Sequence, residues 1–422
     1  NVTGQIYESW LQALDPQKPL SLYLHVPFCQ KMCWYCGCHT KVVARYDPVR
    51  RYAQALRAEL KMLADALQGK FQVSHIHWGG GTPTMLSAED FSETMGLIKD
   101  LFLITEAAEL AVEIDPRTVD THKIETLAAS GINRVSLGVQ DFNPQVQEAI
   151  NRVQPYELTK DVTENFRAVG IHNINFDLMY GLPLQTEKDI LKTVDLSHSL
   201  RPDRIALFGY AHVPWMKSHM KMIREEDLPD SEARLQQTVA ASERLMALGY
   251  HQIGLDHFAK ADDTMAAALT EGTLNRNFQG YTTDNAEVLL GVGASSIGRL
   301  PQGYVQNAVA MKTYEDEVLI GHFPIAKGIR LSDDDRVRGH IIERLMCDLE
   351  VDLETAARQF GFDASYFSDE LDNLQAFEKE GIISIDGSHI VVQLAGRMLI
   401  RAVCAVFDAY LYQGSARHSK AV

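Results

Sequence analysis

Four of the chain's six cysteines crowd between Cys29 and Cys38, and three of them, Cys29, Cys33 and Cys36, stand in a Cys-x3-Cys-x2-Cys spacing. Three thiolates on one short loop suit an iron–sulfur cube in which one iron keeps an open position, able to take up a small molecule. Electron-transfer clusters usually have four cysteines and no free corner. Cys38 follows Cys36 too closely to compete easily for the same iron, and is left uncoordinated. Structural zinc wants two paired Cys-x2-4-Cys arms, and the second arm is missing. A disulfide framework would scatter its cysteines. Cys347 and Cys404 sit in apolar helical patterns, ERLMCDL and LIRAVCAVF, as buried small hydrophobes.

The cysteine loop needs an anchor, and it directly follows a strand-like run, SLYLHVPF at 21. Further runs of the same kind are SHIHWGG at 74, LAVEID at 110, RVSLGVQ at 134, NINFDLMY at 173, RIALFGY at 204 and HQIGLD at 251. Helical patterns lie between them, such as RRYAQALRAELKMLADAL, AEDFSETMGLIKDLF and HKIETLAASG. This alternation predicts parallel strands with right-handed crossovers, a (β/α) barrel, complete or partial, over residues 21–325. The C-terminal ends of such strands are where barrels carry their chemistry. From 326 to 422 the pattern becomes three helices, a hairpin around Asp386-Gly387 and a last apolar helix, a winged-helix-like module. Its recognition-helix position carries Asp and Glu where a DNA reader needs Arg and Lys, so a lid or dimer surface is expected. Residues 1–20 are too short for a domain and are expected to be the remnant of a longer N-terminal arm.

Composition narrows the partners. A net charge of −16 disfavours nucleic acid and anionic membranes, and no apolar run approaches a membrane span. With 46% hydrophobic and 23% charged residues, bulk disorder is excluded and a large core can form. No signal segment opens the chain, so a cytoplasmic location is expected.

Other residues add chemistry around the loop. Gly79, Gly80, Gly81 and Thr82 follow a strand, where missing side chains let backbone groups approach a ligand, or simply make a tight turn. Glu113 and Asp177 lie at strand ends, placed to accept bonds from ribose hydroxyls or to form a barrel-end salt bridge. Arg152 can pair a carboxylate through its fork, or lie at the surface after a helix.

The cysteine spacing, with Tyr35 just before the third cysteine, resembles the radical S-adenosylmethionine (SAM) signature. More specifically, LYLHVPFCQKMCWYCGCH, HWGGGTPT, EIDPR, GVQDF, NFDLMYGLP, YAHVP, RNFQGYTT and GASSIG, in that order between about Pro19 and Tyr412, resemble the oxygen-independent coproporphyrinogen III oxidase family. The resemblance implies an α/β fold, a radical SAM (β/α) partial barrel with a C-terminal, mostly helical winged-helix-like domain. It implies a 4Fe-4S cluster on Cys29, Cys33 and Cys36, whose open iron chelates SAM and cleaves it reductively to a 5'-deoxyadenosyl radical. Two SAM molecules are implied in one site. Tyr23, Gly80, Glu113, Ala211 and Ile297 would surround the cluster-bound molecule, and Tyr35, Gly81, Thr82, Gln140, Arg152 and Asp177 the second. Phe278 and Gln279 fall where the family also contacts the cofactors.

The implied reaction takes a β-hydrogen, carbon dioxide and an electron from each of two propionates of coproporphyrinogen III, giving the vinyls of protoporphyrinogen IX. A low-potential electron donor and an electron acceptor are then required, with no nucleic acid or membrane partner and a monomer as the expected state. Trp34 and Gly209 depart from the residues usual at those places, and neither is required by the mechanism. A haem-binding chaperone on the same barrel is the nearest alternative; such relatives usually have phenylalanine where this chain has Cys38, and RNFQGYTT also favours the oxidase. A radical SAM methyltransferase acting on a tetrapyrrole is disfavoured by the near-continuous match.

Overall fold

The computed structural model describes residues 2–411; Asn1 and 412–422, with the Tyr412 that ends the resemblance, lie outside the described residues. The described residues form two compact units, 2–248 with 286–330, and 249–285 with 331–411.

The first unit is built on strands β1 (Leu20–Val26), β2 (Gln72–Gly80), β3 (Leu103–Ile114), β4 (Arg134–Gln140), β5 (Asn173–Tyr180), β6 (Arg204–Gly209), β7 (Val288–Val292), β8 (Ile297–Leu300), β9 (Gly303–Asn307) and β10 (Ile325–Arg330). Their order is β10-β9-β8-β7-β1-β2-β3-β4-β5-β6. From β7 through β1 to β6 every pairing is parallel, whereas β8, β9 and β10 add an antiparallel margin. The helical crossovers are α1 (Asp47–Ala66), α2 (Ala88–Leu101), α3 (Thr121–Ala129), α4 (Tyr156–Ala168) and α5 (Glu187–Ser199). Several begin at a side-chain cap: Ser87 accepts from Asp90 N, Asp120 from Lys123 N, and Thr186 forms a reciprocal box with Asp189.

Burial follows the strand period. On β5, Ile174, Phe176 and Leu178 are fully buried while Asn175 and Asp177 between them are half-buried on the other face. Most of the other parallel strands likewise carry apolar groups on one face and polar groups on the other, whereas β7, VLLGV, is apolar and buried throughout. Arg134 Nε pairs with Glu109 Oε2 at 2.8 Å, His77 Nε2 lies 3.2 Å from Glu113 Oε1, and Ser136 Oγ donates to Asp177 Oδ2 at 2.8 Å.

The segment at 250, expected as a further parallel strand, instead forms an antiparallel hairpin of Tyr250–Ile253 with His257–Lys260 in the second unit. The cause is a shared core: Ile253, Leu274 and Tyr281 are buried with Val337, Ile341 and Leu345, and Tyr281 Oη donates to Met346 O at 2.9 Å. Gly254, at φ +53°, is required there, since a Cβ would lie 2.0 Å from the Tyr281 ring. Residues 249–285, read from sequence as part of the 21–325 barrel, therefore group with the C-terminal helices. The strand that completes the parallel run is β7, within EVLLGVG. The rest of the second unit has helices Asp333–Asp348, Leu353–Gln359 and Ser368–Lys379, with a three-stranded antiparallel sheet of Glu350–Asp352, His389–Val392 and Ile383–Asp386. Gly387, at φ +62°, makes the expected hairpin turn.

The N-terminal segment belongs to the first unit. It forms a helix, Gly4–Gln12, whose buried Tyr7 meets Phe323 edge-on at 5.2 Å. Among the described residues no helix is long and apolar enough to cross a membrane.

Candidate active site

The cysteine loop leaves β1 at Pro27, and its two ends are tied by a short parallel pairing of Phe28–Cys29 with Lys41–Val42. Backbone bonds fix this closure, Lys41 N to Pro27 O at 2.7 Å and Val43 N to Cys29 O at 3.1 Å. The interior of the loop is held by other parts of the same unit: Trp34 N donates to Ile150 O at 3.0 Å, Asn151 Nδ2 to Met32 O at 2.8 Å, Lys217 Nζ to Cys38 O at 2.9 Å, and His219 Nε2 lies 2.8 Å from Cys36 O.

All six cysteines are free thiols. Cys33 is buried with two guanidinium groups upon it, Arg117 Nη2 at 3.4 Å and Arg152 Nη1 at 3.6 Å from Sγ. Cys29 Sγ lies 3.6 Å from Thr82 Oγ1, and burial pushes its thiol up to about 11. Cys36 goes the other way, down to about 6, because the Cys38 thiol hydrogen-bonds to it. Among the described residues no three His, Cys, Asp or Glu side chains converge as a single metal ion would draw them. The donor set nevertheless suits an iron–sulfur cube: three thiols on one loop, with cationic N–H donors facing the most buried of them.

The strand ends supply the surroundings. Tyr23, buried on β1, lies 3.0 Å from His25 Nδ1 through its hydroxyl. Glu113, at the end of β3, accepts from Gly80 N at 3.1 Å and lies 3.2 Å from His77 Nε2. The glycine run that ends β2 makes room for protein groups: a Cβ on Gly79 would stand 2.8 Å from Glu113 Oε1, on Gly80 2.7 Å from the His25 ring, and on Gly81 2.7 Å from Phe28 O. Missing side chains here bring the β1 loop, β2 and β3 together, a closer packing than a ligand cradle alone requires.

Arg152 is buried and meets Asp115 at 3.4 Å, so the carboxylate on its fork is one from this chain. Its Nη2 also donates to Gly138 O at 2.7 Å. Gln140 ends β4 in the left-handed region, φ +67°, after a register shift against β5. Arg152 and Gln140 close on the same point, since a Cβ on Gly138 would lie 2.9 Å from Arg152 Nη2 and 3.1 Å from Gln140 Nε2. Two buried atoms of this pair, Gln140 Oε1 and Arg152 Nε, have no hydrogen-bond partner, which marks a polar place for a ligand. Tyr35, half-buried on the loop, feels Arg152, Cys33 and Cys36, and its hydroxyl is held neutral by desolvation. Asp177 accepts from Ser136 Oγ and from Asn175 Nδ2, each at 2.8 Å.

The remaining candidates stand on other elements. Ala211 is exposed just beyond β6, and Ile297, half-buried, opens β8. Phe278 and Gln279 stand at the turn of a hairpin, Asn275–Asn277 with Gly280–Thr282, in the second unit, with Phe278 exposed and Gln279 Nε2 unpartnered. Gly209, one of the two departures from the family pattern, has a reason: the Tyr180 hydroxyl lies 2.8 Å from where its Cβ would be.

Sequence reasoning missed Asp115 and Arg117 as site residues, although both stand in EIDPR, and missed His77, Lys217 and His219. The alternating charges of EIDPR immediately after a strand were the available signal.

A model of the radical SAM superfamily matches residues 23–197, and one of the HemN C-terminal domain matches residues 331–399. The oxygen-independent coproporphyrinogen III oxidase of Bradyrhizobium diazoefficiens is 49% identical over 99% of this chain and 92% of its own length. That of Paracoccus denitrificans is 44% identical over 99% and 92%. The solved structure of coproporphyrinogen III oxidase (HemN) from Escherichia coli, described as a radical SAM enzyme, superposes with a TM-score of 0.92 at 38% identity, covering 96% of this chain and 94% of that one. With the three-cysteine loop at the head of a parallel sheet and this likeness along nearly its whole length, the chain belongs to the oxygen-independent coproporphyrinogen III oxidase family of radical SAM enzymes.

Proposed function

We propose that this enzyme converts coproporphyrinogen III to protoporphyrinogen IX without oxygen, each of two propionates losing a β-hydrogen atom, carbon dioxide and one electron to become a vinyl. The observation that carries the site assignment is the buried, unpartnered pair Gln140 Oε1 and Arg152 Nε beside the cysteine loop. When bound, the 4Fe-4S cluster and SAM supply a low-potential electron and a 5'-deoxyadenosyl radical. Cys29, Cys33 and Cys36 are the residues proposed to hold the cluster. Tyr23, Gly80, Glu113, Ala211 and Ile297 are assigned to one SAM; Tyr35, Gly81, Thr82, Gln140, Arg152 and Asp177 to a second; Phe278 and Gln279 to further cofactor contacts.

The chain's own contribution is position and shelter. Breaking this C–H bond with a carbon radical needs no general acid or base, so the protein must orient the reacting carbon and keep other hydrogen donors away. Glu113, with one oxygen fixed by Gly80 N and the other 3.2 Å from His77 Nε2, keeps further lone pairs to accept hydrogen bonds from hydroxyl groups. Asp177, steadied by Ser136 and Asn175, has the same chemistry two strands away. We further propose a monomer in the cytoplasm, served by a separate low-potential electron donor and an acceptor.

The test is anaerobic: reconstitute the cluster, add SAM, reductant and coproporphyrinogen III, and separate the products by chromatography. Protoporphyrin with 5'-deoxyadenosine is the expected result. Deoxyadenosine without porphyrin conversion would overturn the substrate assignment, and haem binding with neither product would favour the chaperone.

A further inference from the structure

Asp115 and Arg117 form a local unit that points at a cluster sulfur. Pro116 sets the turn between them, Arg117 N donates to Asp115 Oδ1 at 3.1 Å, and Thr118 N donates to Asp115 O at 3.0 Å. The Arg117 guanidinium then folds back on the same carboxylate, Nε to Oδ1 at 2.9 Å and Nη2 to Oδ2 at 2.6 Å. Arg152 reaches that carboxylate from the other side at 3.4 Å. One carboxylate thus lies between two guanidinium groups, and both groups also donate toward Cys33 Sγ. Side-chain exposures of 15% for Arg117, 11% for Asp115 and 7% for Arg152 leave water little part in offsetting their charges.

Asp115 neutralises one of the two cations, so the pair carries a net positive charge on the sulfur of Cys33. Charge-assisted donors to a cluster thiolate stabilise the reduced form, which holds one more electron, over the oxidised form. Arg152 keeps its Nε free of protein partners. Arg117 has its Nε and Nη2 both committed, to Asp115 and to Cys33.

We propose that Arg117, oriented by Asp115, is a positioning residue that raises the reduction potential of the cluster and so eases delivery of the electron that starts the reaction. It acts through Cys33, on whose sulfur its guanidinium lies. The proposal rests on the three-cysteine cluster assignment.

The experiment is a redox titration of the reconstituted full chain, the reduced cluster followed by electron paramagnetic resonance, with iron and sulfide counted beforehand. In Arg117→Gln the reduced fraction at a fixed potential below the midpoint should fall about tenfold relative to oxidised, a shift of about 59 mV to lower potential for a one-electron couple. Asp115→Asn removes the counter-charge as well as the aim of Arg117, two effects of opposite sign, so its midpoint should move less than that of Arg117→Gln. Arg117→Lys keeps the charge without the fork and should fall between wild type and Gln, which also serves if the Gln variant loads poorly. A midpoint unchanged in Arg117→Lys and in any loaded Arg117→Gln overturns the proposal. Absence of a 4Fe-4S signal in the wild-type chain overturns the cluster assignment itself and this inference with it. Failure of porphyrin conversion alone, with the potentials shifted as expected, overturns only the substrate reading.

Discussion

The chain carries two populations of cysteine in its two compact units, and they differ in what faces the sulfur. Cys347 and Cys404 sit among apolar side chains of the second unit, and burial pushes both thiols up to about 12. Cys33, also buried, faces two guanidinium groups, and Cys36 is drawn down to about 6 by the hydrogen bond from Cys38. Burial among apolar groups makes a cysteine an inert small hydrophobe, whereas N–H donors around a buried sulfur suit it to hold a cluster.

The sharpest way to break this contrast is to make the same substitution in both places. Cys33→Ser should lose the cluster and with it essentially all porphyrin conversion, read as iron per chain and product formed. Cys347→Ser should keep full iron content and cost about 1–3 kcal/mol of stability, since a hydroxyl would be buried among apolar groups. Equal iron loss in both would refute the division of roles.

Glycines sharpen it next. A methyl on Gly81 would strike the Phe28 carbonyl, whereas nothing lies within 4 Å of a Cβ on Gly37 in the middle of the loop. Gly81→Ala is expected to cost about 1–3 kcal/mol or more and to impair cluster loading, because the strain falls on backbone that anchors Cys29. Gly37→Ala should stay within about 0.5 kcal/mol and load normally. Thermal melting and iron analysis distinguish the two, and a harmless Gly81→Ala would mean the loop end is softer than its packing indicates.

The same principle is tested last on carboxylates within the first unit. Glu59 is buried among neutral donors, Tyr314 Oη at 2.6 Å, Asn307 Nδ2 at 2.6 Å and Gly293 N at 2.8 Å, and burial pushes its carboxyl up to about 7. Glu109 is also buried, which works against ionisation, yet Arg134 and Arg204 hold it down to about 2. The signs are opposite. Glu59 binds its proton more tightly in the folded chain, so its contribution is complete below the unfolded value near 4.5 and is lost as pH rises through about 7. Glu109 contributes above its unfolded value, and that contribution is lost as pH falls toward about 2. Each slope is at most about 1.4 kcal/mol per pH unit. Glu59→Gln should remove the fall in stability between about pH 4.5 and 7, and Glu109→Gln the fall on the acid side, in denaturant titrations at several pH values. An unaltered profile in either variant would show that its neighbours do not set its charge.

Much of this arrangement was legible in the sequence because its signals are local. The cysteine spacing, the strand period of RVSLGVQ and NINFDLMY, and the Asp386-Gly387 turn are each decided by neighbouring residues, and the strands at 134 and 173 begin where the patterns do. The pairing of HQIGLD was not local. Its hairpin depends on Tyr281 and the helix beginning at Asp333, far along the chain, and a short apolar run cannot announce which sheet direction it will adopt. The site shows the same divide. Cys29, Cys33 and Cys36 stand out by spacing, whereas Arg117 becomes visible only when β3 brings Asp115 under the loop that follows β1. Gly79–Gly81 were recognised but half understood, since the groups that fill their empty space come from β1, β3 and the loop itself.

The pairing of Phe28–Cys29 with Lys41–Val42 reaches beyond geometry to repair. Because backbone bonds of the polypeptide join the two ends of the loop, iron is not what closes it. Oxygen that destroys the cluster should then leave the loop still closed at its ends, rather than a loose strand that must find itself again. For an enzyme that works without oxygen, such a closed loop makes damage a matter of refilling, and the lifetime of the protein need not be the lifetime of its inorganic core.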